Sequence, residues 1–365
     1  MLGERLGSRE IDMKVLHLPT VVGGMAWELA QAEKRLGLDS KVLVGSHPWP
    51  DYPYDISLGW ERKSPLEVFL SSLKAFWGHR RRFDVYHFNF GSTLVDFRRL
   101  GIHHWDLPFY GRGKKVFTYN GCDARQKFKT MARAKIAACH EPGCYGEICG
   151  SGERDKMKEK RIQKVSRYAH HVFAVNPDLL HFLPKSLSSF LPYCVARWDE
   201  IPALPYQVGR EITIVHSPTD RVAKGTPYIL AALENLKRKY PIRIVLVEKK
   251  SHTEALEIYQ QADLVIDQVL VGWYGSVAVE AMKMGKPVAV FIREEDLSFL
   301  PEQMARDLRE AVIQIDPLSI ETVLEEVLQN PRLLRLKSEA GQAYVHRWHD
   351  PVYVGSLTKS VYESS

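Results

Sequence analysis

The chain of 365 residues is 45% hydrophobic and 26% charged, proportions that are ordinary for a soluble globular protein. Domains usually span roughly 100–200 residues, so this length predicts two of them. The net charge of +6 is too small, and the 50 basic side chains are too dispersed, to indicate a nucleic-acid partner. No apolar run approaches the roughly 20 residues of a membrane-spanning helix.

The N-terminus is polar and of mixed charge, without the apolar core of a secretory signal. A buried strand is predicted directly after Met13, so we expect the fold to begin there and residues 1–12 to be a leader or a disordered extension. The 5 cysteines do not make a disulfide framework, which predicts reduced thiols. These features favour a cytoplasmic protein, with peripheral contact at the inner membrane surface as a further hypothesis.

Strand-like apolar runs alternate with amphipathic helical stretches along the chain. The first half contains five predicted strands, at residues 15–19, 41–45, 84–90, 115–119 and 171–175. The second half contains five more, at residues 212–216, 242–247, 264–269, 287–291 and 312–315. The helices predicted between them include 26–36, 227–237, 254–261, 276–284 and 320–328. Strands that alternate with helices form parallel sheets through right-handed crossovers, so the sequence predicts an α/β protein of two doubly wound, Rossmann-like domains.

A proline-spaced segment near Ile201 marks the expected boundary between the domains. We place the first domain at residues 13–195, a linker at 196–210 and the second domain at 211–341. Residues 342–365 carry an aromatic-rich helical pattern, and we expect them to cross back onto the first domain. Open parallel sheets bind ligands beyond the carboxyl ends of their strands, so the cleft between the domains is the expected site.

A glycine-bearing loop in the second half joins a strand that ends at Asp267 to a helix that begins near Ser276. Helix N-termini bind anions readily through their free N–H groups. Glu280 lies about one turn inside this helix, where it would accept hydrogen bonds from a sugar or ribose diol. The alternative is an ordinary loop-to-helix turn, with an acid that only favours the helix dipole.

The same segment resembles the donor-site signature of retaining GT-B glycosyltransferases of family 4, the glycogen-synthase-like group. That signature has a Glu, seven intervening residues, and a second Glu followed by Ala-Met, a Gly and Pro-Val. The second half is matched by Glu280-Ala281-Met282 and by Gly285-Lys286-Pro287-Val288. The resemblance implies that Glu280 binds the nucleotide ribose, and it places in the donor site Gln268, Tyr274, Gly275 and Ser276. Gly272 stands where the first Glu would be, so Asp267, Gln268 or the Trp273-Tyr274 pair is expected to contact the donor sugar instead.

A second motif, at residues 216–226, follows the first strand of the second domain and contains Arg221 and Lys224. A strand, a polar loop with two cations and a helix make a natural diphosphate site. In the resembled family, a Lys-Gly pair like Lys224-Gly225 and an Arg further upstream than Arg221 neutralise the donor pyrophosphate. The alternative is that Lys224 and Arg221 are solvated surface residues.

Two turns of the first domain complete the candidate site. Gly23 and Gly24 follow the first strand, where the family has a glycine-rich turn near the donor phosphates, and a bland turn explains them equally well. Asn120 occupies the position of a His in the family pattern His-Gly-x-Asp, and it cannot act as a base near neutral pH. Asp123 and Arg125 would bind the acceptor, or would pair with each other on the loop.

A cysteine cluster forms the remaining motif, with Cys139, His140, Cys144 and Cys149 close together in the chain. Three thiols and an imidazole would close a structural zinc site, although the spacing is not that of paired Cys-x-x-Cys knuckles. Free thiols in a loop, or redox chemistry, are the alternatives.

Two basic amphipathic stretches, at residues 65–83 and 154–167, are also candidates for function. The first would lie in a membrane interface, or would pack its apolar stripe into the core. The second is most simply a solvated helix face that approaches an anionic acceptor or membrane.

The sequence therefore predicts a glycosyltransferase that moves a sugar, with retention, from a UDP- or GDP-sugar to a hydroxyl acceptor such as a glycan or a lipid-linked molecule. No catalytic cofactor is expected, because Lys224 and Arg221 would neutralise the leaving diphosphate. Two alternatives remain open: a sugar-nucleotide epimerase of the same architecture, and a non-catalytic nucleotide-sugar-binding protein.

Overall fold

The computed structural model describes residues 13–47, 52–97, 100–207 and 209–364. The leader predicted for residues 1–12 lies outside these ranges. None of the helices within them is long and apolar enough to cross a bilayer.

The first domain is built on a parallel sheet of seven strands, in the order β3-β2-β1-β4-β5-β6-β7. The strands are β1 (Lys14–Leu18), β2 (Asp39–Val44), β3 (Ile56–Ser57), β4 (Val85–Asn89), β5 (Lys114–Tyr119), β6 (His171–Ala174) and β7 (Ser188–Phe190). The order reverses direction at β1, which pairs with β2 on one side and with β4 on the other. The five strands predicted for the first half do not include β3 and β7, which are both short and lack an apolar run, although the sequence does indicate a short strand that closes at Leu191-Pro192-Tyr193.

The second domain has a parallel sheet of five strands, in the order β12-β11-β10-β8-β9. Its strands are β8 (Ile212–His216), β9 (Ile242–Leu246), β10 (Leu264–Ile266), β11 (Val288–Val290) and β12 (Val312–Gln314). All ten predicted strands are present, so the predicted class, two doubly wound parallel sheets, is confirmed.

Twelve α-helices of the described residues cover the sheets. They are α1 (Met25–Arg35), α2 (Pro65–His79), α3 (Lys127–Arg133), α4 (Glu153–Ser166), α5 (Arg221–Lys224), α6 (Thr226–Lys237), α7 (His252–Gln260), α8 (Ser276–Lys283), α9 (Glu302–Ala311), α10 (Ile320–Gln329), α11 (Pro331–Trp348) and α12 (Pro351–Glu363). Capping residues in the sequence determine where several of these helices begin. Ser64 and Glu67 form a capping box before α2, and Ser251 and Glu254 form another before α7.

The chain returns to the first domain at its end, between α11 and α12. Gly341 of α11 packs on Met282 of the second domain, and a Cβ at Gly341 would lie 3.0 Å from the Met282 Cγ. The helix stops at Asp350-Pro351 because proline cannot continue it, and Asp350 caps α12. The passage from α11 to α12 therefore lies near residue 349, within the predicted C-terminal segment 342–365.

A buried carboxylate ties α12 to the first sheet. Glu33 of α1 accepts hydrogen bonds from Thr358 at 3.0 Å and from Tyr362 at 2.8 Å, both on α12. It also contacts His17 Nε2 at 2.8 Å and accepts from Ser40 at 2.6 Å. Since a buried carboxylate is costly unless it is hydrogen-bonded, α12 is part of what stabilises the first domain.

A second buried carboxylate joins the two domains. Asp296, which is fully buried between β11 and α9, pairs with Arg133 at 2.7 Å and with His181 at 2.9 Å, both from the first domain. Arg293 of its own domain lies 3.2 Å away and also donates to the carbonyl of Ile136 at 2.7 Å. These contacts hold the domains together on one side of the cleft.

Candidate active site

A cavity of about 690 Å³ lies between the two domains. Its walls come from segments that follow parallel strands at their carboxyl ends, as expected for doubly wound sheets. The first domain contributes Val22 and Gly23 after β1 and residues 120–125 after β5. The second domain contributes Lys224 beyond β8 and, after β10, Leu270, Val271 and residues 273–277.

Lys224 is the cation of the second domain that faces this cavity. It ends the single turn of α5, which Asp220 caps by accepting from the Ala223 N–H at 2.7 Å. The next residue, Gly225, has a φ of +72°, and a Cβ there would lie 2.4 Å from Val269 Cγ2. Only glycine fits at this point, so the Lys-Gly pair has a physical reason as well as a family match.

Lys224, Asp267 and the start of α8 form one contact group. The Lys224 ammonium donates to one oxygen of the fully buried Asp267 carboxylate at 2.5 Å. The other oxygen accepts the Gly275 N–H, also at 2.5 Å. Gly275 directly precedes α8, and a Cβ on it would lie 3.3 Å from the Lys224 ammonium. The structure thus brings Lys224, Gly275 and Ser276 together, and an anion there would meet an ammonium and a helix N-terminus at once.

Arg221 is not part of this group. Its guanidinium pairs with Glu248 at 2.6 Å, its side chain is 55% exposed, and it is absent from the cavity lining. Although the two cations are only three residues apart on α5, Arg221 is held by Glu248 and Lys224 by Asp267. The predicted pairing of Arg221 with Lys224 on one diphosphate is not what this geometry provides.

The missing first Glu of the signature has a structural explanation. Gly272 has a φ of +86°, and a Cβ there would lie 2.4 Å from the Arg293 Nη1 atom. Arg293 donates to the carbonyl of Val271 at 3.3 Å and is 5% exposed. A guanidinium therefore fills the space into which a side chain at position 272 would project.

Gln268, one of the expected replacements, holds the loop instead of facing the cavity. Its Nε2 atom donates to the carbonyls of Trp273 and Phe291, at 2.9 and 2.8 Å. Its Oε1 atom accepts the Val271 N–H at 2.5 Å. The side chain is fully buried and is absent from the cavity lining, so the structure does not place Gln268 beside the cavity.

Tyr274 lines the cavity, but its hydroxyl forms hydrogen bonds with other buried side chains. The hydroxyl lies 2.6 Å from the Tyr344 hydroxyl and 2.9 Å from His349 Nε2. His349 Nδ1 lies 2.9 Å from the Tyr193 carbonyl and must donate to it, so Nε2 accepts from Tyr274. Burial lowers the pKa of His349 to about 4, which keeps this bridge neutral near pH 7.

Glu280 is buried rather than exposed on α8. It is 4% exposed and lies 2.9 Å from His252 Nε2, at the start of α7. The His252 ring in turn lies 5.6 Å from that of Tyr52, which lines the cavity. Glu280 itself is absent from the lining, to which α8 contributes Ser276 and Val277. The sequence analysis does not include His252. Its position was a signal, because it begins the helix that follows β9, and ligands bind beyond the carboxyl ends of parallel strands.

The two glycines after β1 differ in role. A Cβ at Gly23 would meet no atom within 4 Å, and Gly23 borders the open cavity. A Cβ at Gly24 would lie 2.3 Å from Ala196 Cβ. Both have positive φ values, so Gly23 shapes the cavity wall while Gly24 permits close packing.

Asn120 and Asp123 lie in the cavity wall beyond β5. The Asp123 carboxylate accepts the backbone N–H groups of Asn120 at 3.0 Å and of Gly121 at 2.6 Å, and burial raises its pKa. Arg125 pairs with Asp178 at 2.6 Å, so the expected alternative of an Asp123–Arg125 pair does not form. Asp123 therefore shapes the loop, and the Asn120 side chain remains the polar group beside the cavity.

The expected zinc ligands do not converge. Within the described ranges, the one group of three or more ligand-type side chains whose atoms lie within 4.8 Å of one another is His17, Glu33 and His87. His140 Nε2 lies 2.8 Å from the carbonyl of Ala134, to which it donates. The set Cys139, His140, Cys144 and Cys149 is not such a group, and His140 is engaged by the backbone.

The two basic stretches form α2 and α4, and both differ from the simplest expectation. On α2, Leu66, Leu70 and Trp77 are 67%, 55% and 56% exposed, so the apolar stripe is only partly in the core. On α4, Lys158 and Arg161 are buried, and Arg161 pairs with Asp96 at 2.6 Å. The α4 face is therefore partly structural rather than wholly solvated.

No protein family matches this sequence, and no curated protein matches it either. Solved structures do match. Sucrose-phosphate synthase from Thermosynechococcus elongatus aligns over 96% of this chain and 98% of its own, with a TM-score of 0.64 and 15% identity. HepE of Anabaena, in complex with UDP and glucose, aligns over 97% and 100%, with a TM-score of 0.58 and 11% identity.

The chain has the GT-B fold. A third match to this fold is UDP-GlcNAc 2-epimerase from Neisseria meningitidis bound to UDP-GlcNAc, over 95% of this chain and 98% of its own, with a TM-score of 0.51 and 11% identity. GT-B proteins of both kinds, transferases and an epimerase, therefore share the arrangement of two sheets around a cleft.

Proposed function

We propose that this GT-B protein is a glycosyltransferase that transfers a sugar from a UDP- or GDP-sugar to a hydroxyl acceptor with retention. The observation that carries the proposal is the Lys224 ammonium beside the N-terminus of α8, inside the cavity between the domains. The UDP of HepE and the UDP-GlcNAc of the epimerase support a nucleotide-sugar donor.

The proposed chemistry rests on charge stabilisation. The bond between the sugar C1 and the diphosphate oxygen breaks, and negative charge grows on the diphosphate. Lys224 and the N–H groups at the start of α8 are already oriented, so they stabilise this charge without rearrangement. A protein cation takes the place that a divalent metal has in other transferases, so a metal-independent transfer follows.

The acceptor would enter from the side of the first domain. Its hydroxyl oxygen bonds to C1 on the face that the diphosphate leaves, and its proton passes to a diphosphate oxygen. Asn120 has no basic group, and its amide would position the acceptor or the donor sugar. Asp123 would act indirectly, by holding the loop that carries Asn120.

The ribose of the nucleotide is assigned to the Glu280 side of the cavity. Glu280 and His252 form a buried pair, and Tyr52 connects them to the cavity wall. We propose that the ribose diol donates to the Glu280 carboxylate and that His252 keeps that carboxylate in place.

We further propose peripheral contact with an anionic membrane, which would favour a lipid-linked or membrane-bound glycan acceptor. The exposed face of α2, formed by Leu66, Leu70 and Trp77, is followed by Arg80, Arg81 and Arg82. Apolar side chains beside a cluster of cations suit the interface of an anionic bilayer.

Product analysis tests the proposed function. The purified protein is incubated with UDP- and GDP-sugars, and free nucleoside diphosphate, free sugar and epimerised donor are measured. Slow donor hydrolysis that accelerates with an acceptor, with the anomeric configuration kept, is the expected result. Epimerised donor would favour the second candidate, which the Neisseria structure suggests. Binding without any turnover would contradict both enzymes.

A further inference from the structure

The loop between α3 and α4 has little to stabilise its conformation. No α-helix or strand lies between Ala134 and Gly152, and none of residues 138–154 is buried. Tyr145 and Glu147 adopt left-handed backbone conformations, with φ values of +46° and +58°. Such conformations persist in non-glycine residues only where the surroundings impose them. Because the loop has no buried side chains between residues 138 and 154, something other than hydrophobic packing must hold these conformations.

Four of the five cysteines meet at this loop. Cys139, Cys144 and Cys149 belong to it, and Cys122 comes from the turn beyond β5; all four line the interdomain cavity and none is disulfide-bonded. Cys122, Cys139 and Cys149 all lie near enough to Cys144 to interact with it electrostatically. Four thiols from two separate segments thus share one wall, where the Arg125 guanidinium lies 3.9 Å from the Cys122 Sγ atom.

We infer that Cys122, Cys139, Cys144 and Cys149 form a four-thiolate metal centre. Neighbouring thiolates repel one another. A metal cation removes this repulsion, because it binds the thiolates and their protons are released. His140 is excluded as a ligand, since its Nε2 donates to the Ala134 carbonyl. Cys122, which lies outside the cluster visible in the sequence, completes the set of four.

The spread of the sulfur atoms favours an iron–sulfur cluster over a single zinc ion. On one tetrahedral zinc, with bonds of about 2.3 Å, thiolates lie roughly 4 Å apart. Among the described residues, the one group of ligand atoms close enough to share a single ion is His17, Glu33 and His87, and these four thiols do not form such a group. In a cubane cluster each cysteine binds a different iron atom, so wider separation is expected.

Such a centre would constrain the loop where it contacts the second domain. The Ala138 N–H donates to the Leu270 carbonyl at 3.2 Å, and Glu141 accepts from Tyr228 at 3.0 Å. Leu270 leads into the segment that ends at Gly275, next to Lys224. The role is structural positioning, and it does not depend on the proposed transferase activity.

Metal and sulfide analysis of the full chain tests this inference. The protein is purified without oxygen and without chelator, and iron, zinc and acid-labile sulfide are measured together with the visible spectrum. We expect iron and sulfide in equal amounts with a visible absorption band, and their loss on Cys→Ser substitution at any of positions 122, 139, 144 and 149. His140→Ala and Cys194→Ser are the matched controls and should keep the full metal content.

The outcomes separate the alternatives. One equivalent of zinc that is lost in the same four variants would support the four-thiolate centre and overturn the cluster. No metal, with all thiols titratable, or full metal content in Cys122→Ser, would overturn the centre itself. If the serine variants do not fold, X-ray absorption of the wild-type protein decides: sulfur-only coordination supports the centre, and a nitrogen ligand contradicts it.

Discussion

At the scale of single residues, Lys224 stands between a buried carboxylate and an open cavity. The Lys224 ammonium has three N–H donors, one of which Asp267 accepts. The Lys224 side chain is 14% exposed, and Lys224 lines the cavity. A cation fixed in this way needs no reorganisation when charge develops on a leaving group. The same residue would be an unremarkable surface lysine without the Asp267 contact.

Lys224→Ala should lower kcat/KM roughly a hundredfold, the scale of losing one oriented charge-stabilising donor. Donor hydrolysis and transfer rates are the measurement, with thermal unfolding as a check on folding. Lys239→Ala is the control, because Lys239 is an exposed lysine paired with Glu325 at 3.1 Å. Unchanged turnover in Lys224→Ala would remove Lys224 from the proposed site.

Glu280→Gln should weaken nucleoside-diphosphate binding by roughly ten- to a hundredfold, because charge-assisted hydrogen bonds contribute about 1.5–3 kcal/mol. Titration calorimetry with ribose and 2′-deoxyribose forms is the measurement. The deoxy form should bind weakly to wild type and show little further loss against the variant. Additive losses, or lower stability with unchanged affinity, would mean that Glu280 only holds His252.

Gly272→Ala should destabilise the protein more than Gly37→Ala. The two glycines have φ values of +86° and +85°, but a Cβ at Gly37 meets nothing within 4 Å, whereas one at Gly272 meets Arg293. In the Gly37 variant, the loss of unfolding free energy comes only from an alanine in a left-handed backbone conformation, and it should be roughly 1 kcal/mol. The additional loss in the Gly272 variant measures the cost of displacing the Arg293 guanidinium. Denaturant unfolding measures both. Equal losses would contradict the account of the missing Glu.

At the scale of elements, regular structure was predictable where one signal dominated. Apolar runs between helical patterns indicated ten strands, and a loop beyond a parallel strand indicated Lys224 and Ser276. Short polar β7 carries no such run. The position of Arg293 beside Gly272 and the pairing of His252 with Glu280 could not be predicted in this way. Both join segments that are distant in the sequence, and a local pattern does not encode such contacts. Arg221 shows the converse, because a cation near Lys224 in sequence points elsewhere in space.

The exposed face of α2 leads to an element-scale prediction. Leu70→Ser/Trp77→Ser should reduce binding to vesicles containing anionic lipid by roughly tenfold or more, since each side chain contributes about 1.5–3 kcal/mol when fully buried. Vesicle sedimentation is the measurement, repeated at high salt to screen the arginines. Leu336→Ser, at a 52% exposed leucine on α11, is the control. Equal binding by all three proteins would contradict membrane contact.

At the scale of the whole molecule, buried histidines make stability depend on pH. Burial is the largest cause that lowers the pKa of His349 and of His216 to about 4, and that of His104 to about 3. Unfolding returns each to about 6.5, so the unfolded chain binds more protons below that pH. The free energy of unfolding therefore falls as pH drops from about 6.5 toward 4.

His349→Gln should flatten that dependence. Removing one group with a pKa of about 4 in the folded state takes away on the order of 3 kcal/mol of the acid-induced loss. Denaturant unfolding at several pH values between about 4 and 7 is the measurement. His346→Gln, in the last turn of α11 three residues before His349, is the control. An unchanged slope in the His349 variant would show that folding does not lower the pKa of His349.

The two places where the chain passes between domains lie side by side. His349, at the second passage, donates to the carbonyl of Tyr193, which lies just before the first. Two adjacent attachments act as one hinge, about which the domains would rotate if the Asp296 contacts on one side of the cleft opened. Displacement then grows with distance from that hinge, so Tyr193 and Tyr274 form a nearly stationary floor. The largest travel belongs to the rim of the cleft farthest from His349.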